Sequence, residues 1–295
     1  MSVIAVVNRK GGSGKSTLAT HFAAVFANVG AAVALGDIDR QQSTRAWLRH
    51  RKASGERTRI VGWNVDAKTF VRTPVGIDHV VMDTPGGLTG LDLARVVMYA
   101  DAIVMPISNS LFDRTSAADC LTELRTMPRV QSGRCRVAVV GMRIDPRTEA
   151  VERVRAWATE QKVPLITVLP QSHAYVRCAE QGLTLFDVPQ ADVAEELTHW
   201  RPLLQWLRPL LQTPANAGAA TNVRPVDASA AHDASTPVVE QPKPETLSRG
   251  PRSATPDALA GAPPAAATHD ANTAAAAAGR LRDALPLPRF LQRKP

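Results

Sequence analysis

Cysteine is scarce in this 295-residue chain, and the three that occur follow no pairing pattern. Cys120, Cys135 and Cys178 show no C-x-x-C spacing, which argues against a disulfide framework and fits reduced core thiols of a cytosolic protein. Bulky apolar residues are scarce in the last 82 residues. Residues 214–295 contain no Ile, Met, Trp, Tyr or Cys, and 34 of those 82 positions are Ala or Pro. Such a segment cannot bury enough surface to offset its ordering entropy. The expectation is one globular domain over residues 1–213, a disordered Ala/Pro-rich linker over 214–278, and a distinct basic-apolar segment over 279–295. Long apolar runs are absent as well, none approaching the ~20 residues of a membrane-spanning helix. No basic leader precedes the strand-like run at Val3, so a cytoplasmic protein is expected. The formal charge is +8, with 26 Lys+Arg against 20 Asp+Glu up to residue 213. That excess suits a polyanionic partner, and equally a solubilising surface.

Against these absences stands a regular alternation. Short runs rich in Val and Ile recur at Val3–Val7, Ala31–Leu35, His79–Met82, Ile103–Ile107, Val137–Met142 and Leu165–Leu169. Nearly unbroken apolar runs of this length are expected of parallel strands covered on both faces. Helical spacing lies between them: Leu18, Phe22, Phe26 and Val29 share one face, and Val151, Val154 and Trp157 another. Asp145-Pro146 reads as an N-cap followed by Pro at the first helical position. Val193, Leu197, Trp200, Leu204 and Leu207 also keep helical spacing, with Pro202 expected to break or kink that segment. The pattern predicts an α/β fold with a doubly wound, mostly parallel sheet and helices on both faces. Its ligands are expected beyond the carboxyl ends of the strands.

The first strand runs directly into Arg9-Lys10-Gly11-Gly12-Ser13-Gly14-Lys15-Ser16-Thr17, after which a helix begins. Gly11, Gly12, Ser13 and Gly14 let the backbone wrap closely, so that successive N–H groups and a helix N-terminus face a phosphate. Lys15 can reach the β- and γ-phosphates, the Ser16 hydroxyl can ligate Mg²⁺, and Thr17 is placed to meet the α-phosphate. The standard pattern G-x-x-x-x-G-K-[ST] would need Gly at position 9, where this chain has Arg9. What it matches is the deviant form K-G-G-x-G-K-[ST], and here the chain resembles the ParA/MinD family of ATPases. The resemblance implies that Lys10 reaches into the nucleotide site of a partner subunit, much as an arginine finger supplied in trans does. Gly11 would have to be small where two backbones meet.

Three further stretches carry the resemblance. Ala34-Leu35-Gly36-Asp37-Ile38-Asp39 is similar to the family's D-x-D motif, which implies that Asp39 orients the attacking water. The family usually continues with Pro-Gln, whereas this chain reads Arg40-Gln41-Gln42, so a differently shaped first switch is expected. His79–Gly87 is an apolar strand ending in Asp83, a costly place for a carboxylate unless it faces a cation or donors. Asp83 is therefore expected to serve Mg²⁺, with Thr84–Gly87 as a mobile second switch. Ala100–Pro106 resembles the family's next strand. Arg143 and Pro170, at later strand ends, lie where the family forms its adenine pocket.

The resemblance spans about residues 1–210 and implies ATP and Mg²⁺ as cofactors, an ATP-dependent homodimer, and slow hydrolysis stimulated by a ParB-like or cargo-adaptor protein. No helix-turn-helix extension precedes the phosphate loop, so DNA binding is expected to ignore sequence. Arg147, Arg153, Arg155, Lys162 and Arg177 are its candidate contacts, giving a nucleoid-associated protein that partitions DNA or positions a large cargo. Two alternatives stay open. Dethiobiotin and cobyrinic acid synthetases share this kind of loop but need added substrate-binding elements. A MinD-like membrane switch needs a terminal amphipathic helix, and Pro286 and Pro288 interrupt residues 280–291, which argues against stable insertion. Arg280, Arg282, Arg289, Arg293, Lys294 and Phe290 are instead expected to form a partner-docking motif.

Overall fold

Among the described residues seven runs form strands, one more than the sequence pattern marks. The structure is a computed structural model and describes residues 1–53, 55, 60–64 and 75–211. The expected linker and terminal docking motif lie outside the described residues. The strands are β1 (Ser2–Val6), β2 (Val33–Asp37), β3 (Ile60–Asn64), β4 (His79–Asp83), β5 (Ala102–Ile107), β6 (Arg136–Met142) and β7 (Leu165–Leu169). The helices are α1 (Lys15–Asn28), α2 (Ser43–Ala53), α3 (Gly90–Tyr99), α4 (Leu111–Arg125), α5 (Pro128–Gln131), α6 (Glu149–Glu160), α7 (His173–Glu180) and α8 (Ala194–Leu211). All strands are parallel, in the order β3-β2-β4-β1-β5-β6-β7.

Alternation along each strand sorts the core into two layers. Val3, Ala5 and Val7 pack with α3, α4 and α6, whereas Ile4 and Val6 pack with α1, α2, α7 and α8. This two-sided burial explains why the strands read as continuous apolar runs. The unmarked strand β3 is an edge strand with Gly62 at its centre, where an added Cβ would stand 3.1 Å from Leu48 Cδ1. A glycine in the middle of a short run hides the strand signal.

Two local expectations are corrected. Asp145 does not cap α6: it accepts the Arg147 N–H at 3.0 Å in a turn, and Thr148 is the residue before the helix. The proline here sets the turn, and the helix starts three residues later. Helix α8 runs without interruption through Pro202 and Pro209. Its stripe of Trp200, Leu203, Leu204 and Leu207 is buried, with the Trp200 ring 5.8 Å from Phe22. Burial of four large side chains, at about 1.5–3 kcal/mol each, outweighs the backbone N–H groups that the two prolines lack.

Candidate functional site

Register brings three strand ends to one level. Asp37 of β2 and Val6 of β1 both pair with Asp83 of β4. The phosphate loop therefore leaves β1 beside the two aspartate-ended strands, on the carboxyl rim. Gly14 starts α1 with φ 102, a conformation that favours glycine, and a Cβ there would stand 2.7 Å from Met142 Cε. Asn8 braces the loop from below, accepting the Lys10 N–H at 2.9 Å. Around the loop lies a cavity of about 1070 Å³, large enough for a nucleoside triphosphate, since ligand sites run to about 300–1,000 Å³.

Gly11, Gly12, Gly14, Lys15, Ser16 and Thr17 line that cavity together with Asp39. Nothing stands within 4 Å of a Cβ built on Gly11 or Gly12, so the glycine face is open toward the cavity. Lys15 is buried, and its ammonium donates to the Lys10 carbonyl at 3.0 Å. Burial pulls its pKa below the usual lysine range, against the opposing charges of Asp83, Asp39 and Asp113. Ser13 is buried, its hydroxyl has no partner among the described residues, and it does not line the cavity. Lys10 is exposed and likewise does not line the cavity.

The two aspartates of the D-x-D stretch divide the labour. Asp37 is consumed structurally: its Oδ2 accepts the Thr44 hydroxyl at 2.7 Å and the N–H groups of Thr44 and Arg45 at 3.1 and 3.2 Å, capping α2. Asp39 lines the cavity, and its carboxylate accepts the Gln41 N–H at 3.0 Å. The chain then turns through Gln42 at φ 54, so the departure at Arg40-Gln41-Gln42 coincides with a left-handed turn.

Asp83 is 1% exposed, and neither carboxylate oxygen has a hydrogen-bond partner among the described residues. Burial raises its pKa to about 7. Ser16 and Lys15 oppose the shift, Ser16 without reaching hydrogen-bond geometry, while Asp37 and Asp39 reinforce it. A buried carboxylate left bare beside a serine hydroxyl fits a cation. No cluster of three or more His, Cys, Asp or Glu converges among the described residues. Ser16 and Asp83 would thus hold Mg²⁺ together with the nucleotide's own oxygens.

The other expected contacts separate. Arg143 lines the cavity in a left-handed conformation, φ 55, and donates to the Gly12 carbonyl at 2.7 Å. Pro170 is not part of the cavity wall. Arg147, Arg153 and Arg155 pair with Asp145, Glu149 and Glu152 at 3.1, 3.3 and 3.7 Å. Lys162 follows the same helix, α6, whereas Arg177 lies on α7, across the sheet. The five basic residues do not form one patch. Pro85, Gly86, Leu88, Asp92 and Arg95 also line the cavity, and the last two, on α3, carried no local sequence signal. Among the described residues no helix is long and apolar enough to cross a membrane.

Residues 4–185 match the model of the CobQ/CobB/MinD/ParA nucleotide binding domain. The maintenance of carboxysome distribution protein A of Gloeobacter kilaueensis is 32% identical over 219 residues, covering 68% of this chain and 95% of that protein. Among solved structures, an McdA–ATP complex from Cyanothece superposes with a TM-score of 0.55 at 13% identity, covering 74% of this chain and 99% of the other. A putative plasmid partition protein of Borrelia burgdorferi bound to AMPPNP gives 0.52 at 14% identity, covering 70% and 99%. With its deviant phosphate loop and all-parallel sheet, the chain belongs to the CobQ/CobB/MinD/ParA family of nucleotide-binding domains, on its ParA-like side.

Proposed function

We propose that this chain is a positioning ATPase that dimerises around Mg-ATP, holds a nucleic-acid matrix while dimeric, and is reset by hydrolysis. The observation that carries the reading is the contrast between its two loop lysines. Lys15 is buried and lines the cavity, while Lys10 is exposed and does not line it. A lysine that close to a phosphate loop, and not used by it, is free to complete a second subunit's site.

Lys15 and the N–H groups of residues 11–17 would cradle the phosphates, with Ser16 and Asp83 holding the metal. The chemistry Mg²⁺ supplies there is neutralisation of phosphate charge. Asp39, which lines the cavity, orients water, and Lys10 of the second subunit supplies positive charge across the interface. Arg143 is the base-side contact. Pro170 would need to approach the base from outside the present wall. The 32% identical relative, named for carboxysome distribution, supports a large cytoplasmic body as cargo, recruited through an adaptor protein. The phosphate backbone of DNA is proposed as the matrix, giving nucleoid association. With the basic residues split between two layers, its binding must draw on both subunits of a dimer.

Sedimentation with ATP or ADP, run beside retention of random duplex DNA, tests this. The native chain should dimerise and retain DNA with ATP alone. Lys15→Ala should stay monomeric, losing the ~2.7 kcal/mol that a ligand at about 100 times its Kd adds to stability. Asp39→Ala should accumulate as a dimer and Lys10→Ala should fail to turn over ATP. A monomeric Asp39→Ala protein, or DNA retention equal in all nucleotide states, would sink the reading.

A further inference from the structure

Arg9 stands where a standard phosphate loop has glycine, yet its side chain takes no part in lining the cavity. The guanidinium turns to Glu123 on α4, and the two side chains of this ion pair are 21% and 24% exposed. The other Glu123 oxygen accepts the N–H of Gly90 at 2.6 Å. Gly90 opens α3, and Thr89 before it offers no side-chain cap. Glu123 thus supplies from another helix the negative group that this N-terminus favours. The main chain of Arg9 grips the same segment, its carbonyl accepting the Gly87 N–H at 2.7 Å. Gly86 lies so close that a Cβ there would stand 3.3 Å from the Arg9 carbonyl oxygen and 3.4 Å from the Gly11 nitrogen. The segment 85–90 is therefore clipped to the phosphate loop twice, through backbone in its middle and through Arg9–Glu123 at its end. Pro85, Gly86 and Leu88 of that segment wall the cavity.

We propose that Arg9 and Glu123 are positioning residues whose ion pair holds the 85–90 wall against the phosphate loop and so sets the rate of hydrolysis rather than nucleotide affinity. The inference rests on the ATPase reading above. Affinity would come from residues 11–17, whereas the Arg9 side chain pairs with Glu123 and does not line the cavity. A displaced wall misplaces reacting groups, and misplacement costs rate more than binding. The bland alternative is an ordinary partly exposed ion pair that adds only a little stability.

The test compares the full chain with Arg9→Ala, Glu123→Ala, the double variant and Arg9→Lys. Three measurements are made: affinity for a fluorescent ATP analogue, steady-state ATP turnover, and hydrogen exchange at the Gly87 and Gly90 amides. Each alanine variant should lose about fivefold in turnover, the scale of one partly exposed ion pair, with affinity changed less than about twofold. The double variant should be no slower than the slower single one, because both remove the same interaction. Arg9→Lys should retain most of the activity. Both amides should exchange faster in the alanine variants. Additive losses, a parallel loss of affinity, or unchanged turnover with unchanged exchange would overturn the proposal. A native chain without turnover would remove the ATPase reading and leave the clip to be judged on exchange alone.

Discussion

Two buried ionic sites in this molecule are built on opposite principles. Arg51 of α2 and Asp187 are 1% and 2% exposed and meet through two hydrogen bonds of 2.7 and 2.8 Å. The remaining capacity is filled: Arg51 donates to the Gly182 carbonyl at 3.0 Å and lies over the Trp47 ring. Asp187 accepts from Thr184 N–H and hydroxyl, each at 2.7 Å. Burial alone would raise the Asp187 pKa, but Arg51, Thr184 and Asn28 outweigh it and hold it below the usual range. At Asp83 nothing fills the capacity, and burial wins. Among the described residues six buried side-chain polar atoms lack partners, and five belong to Arg9, Ser13, Asp83 and Asp113 on the carboxyl rim. Where every group is satisfied the charge holds the fold together; at Asp83 the carboxylate stays bare beside the loop that lines the cavity.

Breaking the satisfied site should have the largest effect. Asp187→Ala leaves Arg51 charged and buried, and should cost about 3–5 kcal/mol in denaturant unfolding, without changing nucleotide affinity of the folded fraction. An exposed-pair value below ~1 kcal/mol would mean the pair is screened after all.

His21 sharpens the contrast by pH. Its Nδ1 lies 2.7 Å from the Thr17 carbonyl, its Nε2 accepts the Leu185 N–H at 3.4 Å, and the ring stacks on Trp200 at 5.1 Å. Those partners require a neutral ring protonated at Nδ1. Burial lowers its pKa from 6.5 to about 4, against the opposing Thr17 carbonyl. The unfolded chain therefore takes up the proton first. Stability should fall by about 3 kcal/mol as pH drops from ~6.5 to ~4 and should not change on this account above 6.5. Replacing His21 with Asn should flatten that slope; a slope unchanged in the variant would assign it to other groups.

The smallest effect should come from relieving the bare site. Because folding raises the Asp83 pKa, its cost is absent near pH 4, grows with pH, and is complete above about 7. Asp83→Asn should therefore stabilise the nucleotide-free chain by about 1–3 kcal/mol at pH 8 and by little at pH 4, while lowering ATP turnover. Thermal melts of both proteins at the two pH values check the sign. A destabilised variant at pH 8 would mean that the carboxylate has a partner in the free protein.

Legibility followed sequence distance. The glycine-rich loop was readable because the residues that line the cavity from it, Gly11, Gly12, Gly14, Lys15, Ser16 and Thr17, are neighbours along the chain. Asp83 was readable because an ionisable group closing an apolar run is anomalous by itself. Strand β3 was not readable, since Gly62 interrupts it, and the cap of α6 was displaced by a turn that Pro146 favours equally well. Asp37 and Asp39 look equivalent in one dimension; only the approach of Thr44 makes the first a helix cap.

The sequence by itself determined the layered α/β architecture and the phosphate loop, because strand burial and loop wrapping depend on residues a few positions apart. Only the tertiary structure decided that Arg9 meets Glu123, that Arg51 meets Asp187, and that the five late basic residues divide between two layers. Those pairings join positions more than a hundred residues apart, or depend on which face of the sheet a helix covers. No local periodicity encodes either, because they arise only when the strands take their order.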